Sequence, residues 1–483
     1  MTHRIVKKIW NFCNTLRDDG LGYTDYLEQL TYLLFLKMAD ENKAKYDLPE
    51  MCDWQSLLAK KGGELLEQYE RILKALAESG GMLEKIFSGA QNKINDSAKL
   101  SKLLQLINED NWNSTQIDVK GEIYEGLLQK NAESSGAGQY FTPRAVIQAI
   151  VQCINPVPGE TIADPSCGTG GFFLGALNHI EKEHKLNNED IEFLKFNTVH
   201  GWEIERSTAR LCLMNLYLHG LGDLKNTPDI HVTDSLKSKP KEKVKIVFAN
   251  PPFGKSSSDT STNDEELAKK EGYFLRKEFW VTTGNKQLAF LQHIVSMLAE
   301  DGRAAVVLPD NVLFEGGAGE IVRRNLMGTT DVHTILRLPT GIFYAQGVKA
   351  NVVFFDNKPL SKNPLTKETW IYDYRTNIHH TPKKNILKFE HLQDFISCYN
   401  PQNRHKRTET YHSETNPEGR WRKFSYEEII ARDKTSLDIT WLKDKSLADL
   451  DNLPDPDVLA EDIIENLEAG LESFRTILVA LEK

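Results

Sequence analysis

Residues 247–254 read VFANPPFG, an apolar run that ends in Asn250, Pro251, Pro252 and Phe253. These four residue types suit one kind of reaction. An exocyclic amine on an aromatic base is a poor nucleophile, because its lone pair is delocalised into the ring. Two oxygen acceptors on its two N–H bonds draw the nitrogen toward tetrahedral geometry and free that pair. The Asn250 side chain offers one acceptor and the Pro251 carbonyl the other. The prolines fix φ and hold both in place, and Phe253 offers a flat face to the base. A sulfonium methyl is the matching electrophile; its reactivity belongs to a cofactor, and the protein supplies orientation. The scheme needs no metal.

A second motif lies upstream. Residues 161–173 read TIADPSCGTGGFF. A short apolar strand ends at Asp164, a tight turn runs through Gly168, Thr169, Gly170 and Gly171, and a helix begins. Glycines allow φ > 0 and let a ligand approach without a Cβ in the way. The turn is neither the dinucleotide fingerprint nor the phosphate loop. It holds no basic residue, so a zwitterionic or neutral ligand suits it better than a phosphate. By itself it is also compatible with a plain strand-to-helix connection. Glu203, 39 residues beyond Asp164, ends the next strand candidate and can bind both hydroxyls of a ribose. Asp234 ends the strand after that and can accept from an adenine amine. A third motif, GQYFTPR at 138–144, places Thr142 to cap a helix with Pro143 as its first residue. Tyr140 and Phe141 then stand where they can wall a pocket.

These motifs need a frame. Apolar residues recur at helical spacing in YLEQLTYLLFLKMAD and LLEQYERILKAL, so 1–118 reads as a separate helical domain. From 119 to 445 the pattern changes, with a core at about 138–356. The runs ETIAD, FNTVHGWE, DIHV, VKIVFAN, RAAVVLP, VHTILRLP and NVVFFD alternate with helices expected near 143–155, 171–184, 205–219, 285–299 and 318–327. Continuous apolar strands alternating with helices imply an α/β, Rossmann-like, doubly wound domain with a parallel sheet covered on both faces. The polar stretch 254–284 reads as a long loop, a lid or a disordered segment. Residues 357–445 show no clear period. The tail 446–483 reads as a helix with a seam at Ile464, Leu467, Leu471, Phe474, Leu478 and Leu481, spaced 3, 4, 3, 4, 3. A seam this narrow wants a facing helix.

The bulk numbers exclude several classes. A net charge of −10 argues against a chain that coats nucleic acid unaided. Ten acids and two bases fall in 449–483, so the remainder is near neutral and a basic groove stays possible. Lys237, Lys239, Lys241, Lys243 and Lys245 form one basic run and Arg404-His405-Lys406-Arg407 another; solvated loops are the simpler reading. Cysteines 13, 52, 153, 167, 212 and 398 make no CxxC pair, which fits a reduced cytoplasmic protein without structural zinc. The longest apolar runs fall short of the ~20 residues a membrane span needs. No signal peptide is read at the N-terminus.

Taken together, GQYFTPR, then ADPSCGTGGFF, then NPPF closely resembles the modification subunit of Type I restriction–modification systems, a gamma-class amino-methyltransferase. LFEGGAGE at 313–320 and RLPTGIF at 337–343 add to the likeness. The resemblance implies a class I methyltransferase fold with helical flanks, S-adenosylmethionine as cofactor, and N6-adenine methylation of DNA. It places cofactor contacts on Gln139, Tyr140, Phe141, Thr142, Pro143, Arg144, Thr169, Gly170, Gly171 and Glu203, and catalysis on Asn250 to Phe253. Asp164 and Asp234 match by strand position. It also implies a DNA-reading specificity subunit, with two modification subunits to each, and a restriction subunit in the full complex. Other readings stay open: a cytosine-N4 enzyme, which more often has Ser at the first position of the quartet; an RNA or protein-glutamine methyltransferase; and a catalytically silent assembly subunit.

Overall fold

The computed structural model describes residues 2–17, 21–41, 48–109, 124–131, 141–253, 260–343, 348–359, 361–381 and 385–444, with Ala460, Ile464, Leu467 and Leu471 of the tail. The N-terminal part is helical: α1 (Thr2–Arg17), α2 (Tyr23–Glu41), α3 (Trp54–Leu58), α4 (Gly63–Ala77), α5 (Gly81–Phe87) and α6 (Ser97–Asn108). Buried side chains of α2, α4 and α5 and of the region that follows belong to one continuous core. The joint is tight. Met82 N–H donates to Leu224 O at 2.9 Å, and a Cβ on Gly81 would lie 2.3 Å from that carbonyl. Arg210 pairs with Glu28 in the interior and donates to Ser88 O at 2.6 Å.

The remainder of the described chain is built on a nine-stranded sheet. Its helices and strands run β1 (Ile162–Asp164), β2 (Val199–Glu203), β3 (Asp229–Val232), β4 (Val244–Ala249), β5 (Ser261–Thr262), β6 (Phe274–Leu275), β7 (Leu298–Pro309), β8 (Asp331–Arg337), β9 (Ala350–Asp356), β10 (Glu368–Asp373) and β11 (Trp421–Ser425). The helices are α7 (Arg144–Ile154), α8 (Gly171–Glu183), α9 (Asn188–Phe196), α10 (Arg206–Leu218), α11 (Glu265–Glu271), α12 (Lys286–Met297), α13 (Asn311–Phe314), α14 (Ala318–Thr329), α15 (Gln393–Tyr399) and α16 (Tyr426–Ile430). The sheet order is β11-β10-β8-β9-β7-β4-β1-β2-β3. All five expected helices and all seven expected strands form, within a few residues of their expected ends.

The sheet departs from the all-parallel expectation. β9 runs antiparallel between β7 and β8, and β11 runs antiparallel on β10. β9 follows β8 without a crossover helix among the described residues, so it returns in the opposite direction. Residues 357–445 are not featureless: they supply β10 and β11. Trp370 and Trp421 of those strands stack at 5.2 Å. The segment 254–284 is not an open loop. From Ser261 it folds into β5, β6 and α11, and the buried Arg276 donates to Leu236 O at 2.8 Å and contacts His293 Nδ1 at 2.8 Å. The second basic run is structural too. Arg404 pairs with Asp356, while Arg407 lies 4.4 Å from the Tyr399 ring and donates to Tyr399 O at 2.6 Å. Lys237, Lys239, Lys241, Lys243 and Lys245 are exposed; the first four lie in the connection before β4, as a solvated loop requires, and Lys245 lies on β4 itself. In the tail seam Ile464, Leu467 and Leu471 are exposed, and Phe474, Leu478 and Leu481 lie outside the described residues.

Candidate active site

The carboxyl ends of β1, β2, β3 and β4 meet around one cleft of about 380 Å³. This is where open α/β sheets bind ligands. After β1 the chain turns through Gly168, at φ 54°, and Gly170, at φ 83°, conformations that favour glycine. A Cβ on Gly170 would also sit 3.0 Å from Cys212 Sγ. Gly168 N–H donates to Glu203 Oε2 at 3.1 Å, and Glu205 N–H donates to Oε1 at 2.8 Å. One carboxylate thus ties the turn to the end of β2. Burial raises its pKa, and the backbone donors oppose that rise.

Glu203, Thr169, Asp234, Phe141, Asn250 and Pro252 all line the cleft. Asp234 also accepts from Leu236 N–H at 2.9 Å, which fixes the loop after β3. Asp164 does not line it. Its carboxyl is buried, accepts from Ser166 N–H at 2.9 Å, and is pushed by burial up to about 7. Gly170 shapes the turn. Gly171 and Arg144 face a second cavity of about 310 Å³ between α7 and α8, where Arg144 pairs with Glu125 at 2.8 Å. Pro143 faces a third hollow beside Ile342 and Leu387. Gln139 and Tyr140 lie outside the described residues.

Thr142 corrects its expected role. The residue that precedes α7 is Pro143, with no side-chain cap. The Thr142 hydroxyl instead accepts from Asn250 Nδ2 at 2.9 Å. Pro251 is buried and Pro252 exposed. Phe253 is half-buried, its ring 6.4 Å from Phe343 and inclined at 64°.

Several cleft residues carry no sequence motif. Trp202, Ile204, Leu236 and Phe290 give it an apolar side, and Lys286 is the single basic residue among the described residues that line it. Thr24, from the first turn of α2, stands at its edge. Gln287, buried in the first turn of α12, donates to Pro252 O at 2.5 Å. The one signal available in the sequence was Asn285, a helix-capping type directly before Lys286 and Gln287. Among the described residues no cluster of His, Cys, Asp or Glu could hold a metal ion, and no helix is long and apolar enough to cross a membrane.

Parallel strands ordered β3-β2-β1-β4-β7, one antiparallel strand inserted before β8, a glycine turn after β1 and an acid after β2 define a Rossmann-like class I methyltransferase. Within that class the chain belongs to the N-6 DNA methylase family, whose profile matches residues 115–440; the HsdM N-terminal domain profile matches residues 5–107. The EcoKI methylase subunit of Escherichia coli strain K12, a Type I restriction enzyme, is 38% identical across 98% of this chain and 94% of its own length. The crystal structure of the EcoKI M protein, 35% identical, covers 97% of this chain and 94% of its own with a TM-score of 0.55. A chain from a type I R-M system solved to explain its assembly and conformational transition, 25% identical, covers 100% and 99% with a TM-score of 0.72. The protein is an adenine-specific DNA methyltransferase, a modification subunit of the Type I kind. The cytosine-N4, RNA, glutamine and silent-scaffold readings fall away.

Proposed function

We propose that the cleft binds S-adenosylmethionine and that Asn250, Pro251 and Phe253 act on the N6 amine of an adenine flipped out of DNA. One observation carries this reading: Glu203, the glycine turn and Asn250 converge on a single cleft of about 380 Å³. The lining fits the cofactor. A carboxylate at the end of β2 suits a ribose. Ile204, Leu236 and Phe290 offer apolar surface to a purine, and Asp234 offers an acceptor. With Lys286 the only cation among the described lining residues, the cleft suits a zwitterion better than a polyphosphate. Phe141 and Thr169 complete the wall, and Gln139 and Tyr140 join them on the strength of the motif they share with the family. Arg144, Pro143 and Gly171 support the cleft from behind.

When bound, S-adenosylmethionine supplies the electrophilic methyl group. The chain's own residues prepare the acceptor. The target adenine leaves the stack, since its N6 is out of reach inside a duplex. Its ring stacks on Phe253, and its two N–H bonds are accepted by Asn250 Oδ1 and Pro251 O. Recognition of the DNA site falls to a specificity subunit. The exposed tail residues Ile464, Leu467 and Leu471 form a seam suited to docking on it. Two copies of this chain per specificity subunit, with a restriction subunit added for cleavage, make the full cytoplasmic assembly.

The test is Asn250→Ala in the complex with its specificity subunit. Transfer of labelled methyl to adenine-containing DNA should fall by at least about 100-fold, the usual loss when one preorganised polar group is removed. Cofactor binding by calorimetry should stay within about twofold. Turnover near the wild-type rate would refute the role assigned to Asn250.

A further inference from the structure

The quartet Asn250 to Phe253 has an anchoring problem. Pro251 and Pro252 carry no N–H, so this stretch cannot fasten itself through backbone donors at those positions. It offers carbonyls, and one of them, Pro251 O, must stay open for the substrate. A second problem lies in Asn250, whose amide has a donor end and an acceptor end of nearly the same shape. Only the acceptor end is useful, and only in one plane.

Two buried side chains from distant parts of the chain answer both problems. Thr142, from the turn before α7, meets Asn250 Nδ2 at 2.9 Å across 108 residues of sequence. Gln287, in the first turn of α12, donates to Pro252 O at 2.5 Å across 35 residues. Neither side chain is loose: Thr142 is 9% exposed and Gln287 2%. Gln287 is held in turn by Asn285, whose Oδ1 accepts from Gln287 N–H at 3.0 Å and Leu288 N–H at 3.3 Å. Gln287 takes the Pro252 carbonyl and leaves the Pro251 carbonyl to the substrate. Thr142 is not spent on capping α7, and its hydroxyl fixes the plane of the Asn250 amide.

We propose that Thr142 and Gln287 are positioning residues for methyl transfer: they clamp the quartet from opposite sides and hold its two acceptors where the target amine arrives. This rests on the role proposed for Asn250. It moves Thr142 from cofactor contact to acceptor alignment, and adds Gln287 to the site.

The experiment compares Thr142→Val, Thr142→Ser, Gln287→Glu and Asn250→Ala in the assembled modification complex. Val matches Thr in shape but lacks the hydroxyl; Glu matches Gln but, ionised, cannot donate to a carbonyl. T142V and Q287E should each lower kcat about tenfold, since small misplacements of reacting groups weigh heavily on rate. KM for DNA, calorimetric affinity for S-adenosylmethionine, and the fluorescence rise of 2-aminopurine placed at the target base should each stay within about twofold. T142S should recover most of the wild-type kcat. The proposal is overturned if T142V and Q287E turn over normally while N250A is inactive. It is equally overturned if the two variants lose cofactor affinity or base flipping in step with kcat, which marks a merely structural role. An active N250A would instead bring down the reading of the quartet itself.

Discussion

The joint between the helical and catalytic parts makes a quantitative prediction. Arg210 lies on α10 and is 4% exposed; Glu28 lies on α2 and is 8% exposed. The guanidinium pairs with Glu28, donates to Ser88 O at 2.6 Å, and lies 5.5 Å from the Tyr32 ring. Burial lowers its pKa to about 10, so it remains charged at neutral pH. Removing one member of a buried pair strands the other and typically costs about 3–5 kcal/mol. Lys93 Nζ stands 3.4 Å from Glu28 Oε2 and offsets part of that loss, so Arg210→Leu should destabilise by about 3 kcal/mol. The double variant Glu28→Leu/Arg210→Leu strands no charge and should fall within about 1 kcal/mol of wild type. Urea unfolding of the three proteins reads both values. The same helix brings Thr208 and Leu211 to the cleft, so R210L should also weaken cofactor binding and the double variant restore it. If R210L unfolds within about 1 kcal/mol of wild type, or if the double variant is as unstable as the single one, the pair does not hold the joint.

Two further outcomes follow from the acids that end β1 and β2. Glu203→Ala removes the carboxylate that ties Gly168 N–H and Glu205 N–H; affinity for S-adenosylmethionine should fall about tenfold or more by calorimetry, with kcat at saturation much less affected. Asp164→Asn concerns pH. Burial raises the Asp164 carboxyl from 3.8 to about 7, so the unfolded chain releases this proton first as pH rises. The carboxyl is therefore harmless below about pH 4, and stability drops between pH 4 and 7 by up to about 4 kcal/mol. Asparagine still accepts from Ser166 N–H and never ionises, so D164N should flatten that slope and be at least as stable at pH 8. Thermal melts that show the same pH slope in both proteins would contradict the assignment.

Local order was the legible part of this sequence. Each apolar strand of the core and each amphipathic helix between them formed near its expected place, because continuous apolar runs and 3.6-residue spacing carry their own geometry. The glycine turn and its acid were readable for the same reason: Gly168 and Gly170 sit at positive φ, and Glu203 ends its strand. What stayed hidden depends on contacts between distant residues. β10 and β11 lie among Pro- and Asn-rich connections, and only their pairing with each other and with β8 makes them strands. The stretch after the quartet looked like a loop because its composition is polar. It folds because Arg276, fully buried, finds Leu236 O, Glu278 and His293 around it. Arginines 404 and 407 looked like a basic surface for similar reasons, and turned out to be half-buried against Asp356 and Tyr399.

The same distinction explains why motif residues do not all serve one purpose. GQYFTPR is a continuous string in sequence, yet a helix begins inside it, and successive residues at a helix start point in different directions. Phe141 reaches the cleft, Thr142 reaches the Asn250 amide, and Arg144 turns to Glu125 on the far side of the glycine turn. One short motif thus touches the wall of the cleft, the Asn250 amide and the cavity behind the turn. Its residues bridge the glycine turn and the Asn-Pro-Pro-Phe loop, and on the proposed function that separation would set the distance between methyl donor and acceptor. Gln287 and Phe290 reach the same region from α12, one on the Pro252 carbonyl and the other on the cleft wall. The quartet is therefore framed between two helix starts, α7 and α12, and on the proposed function a variant that shifts either should lower the transfer rate before it lowers affinity for either substrate.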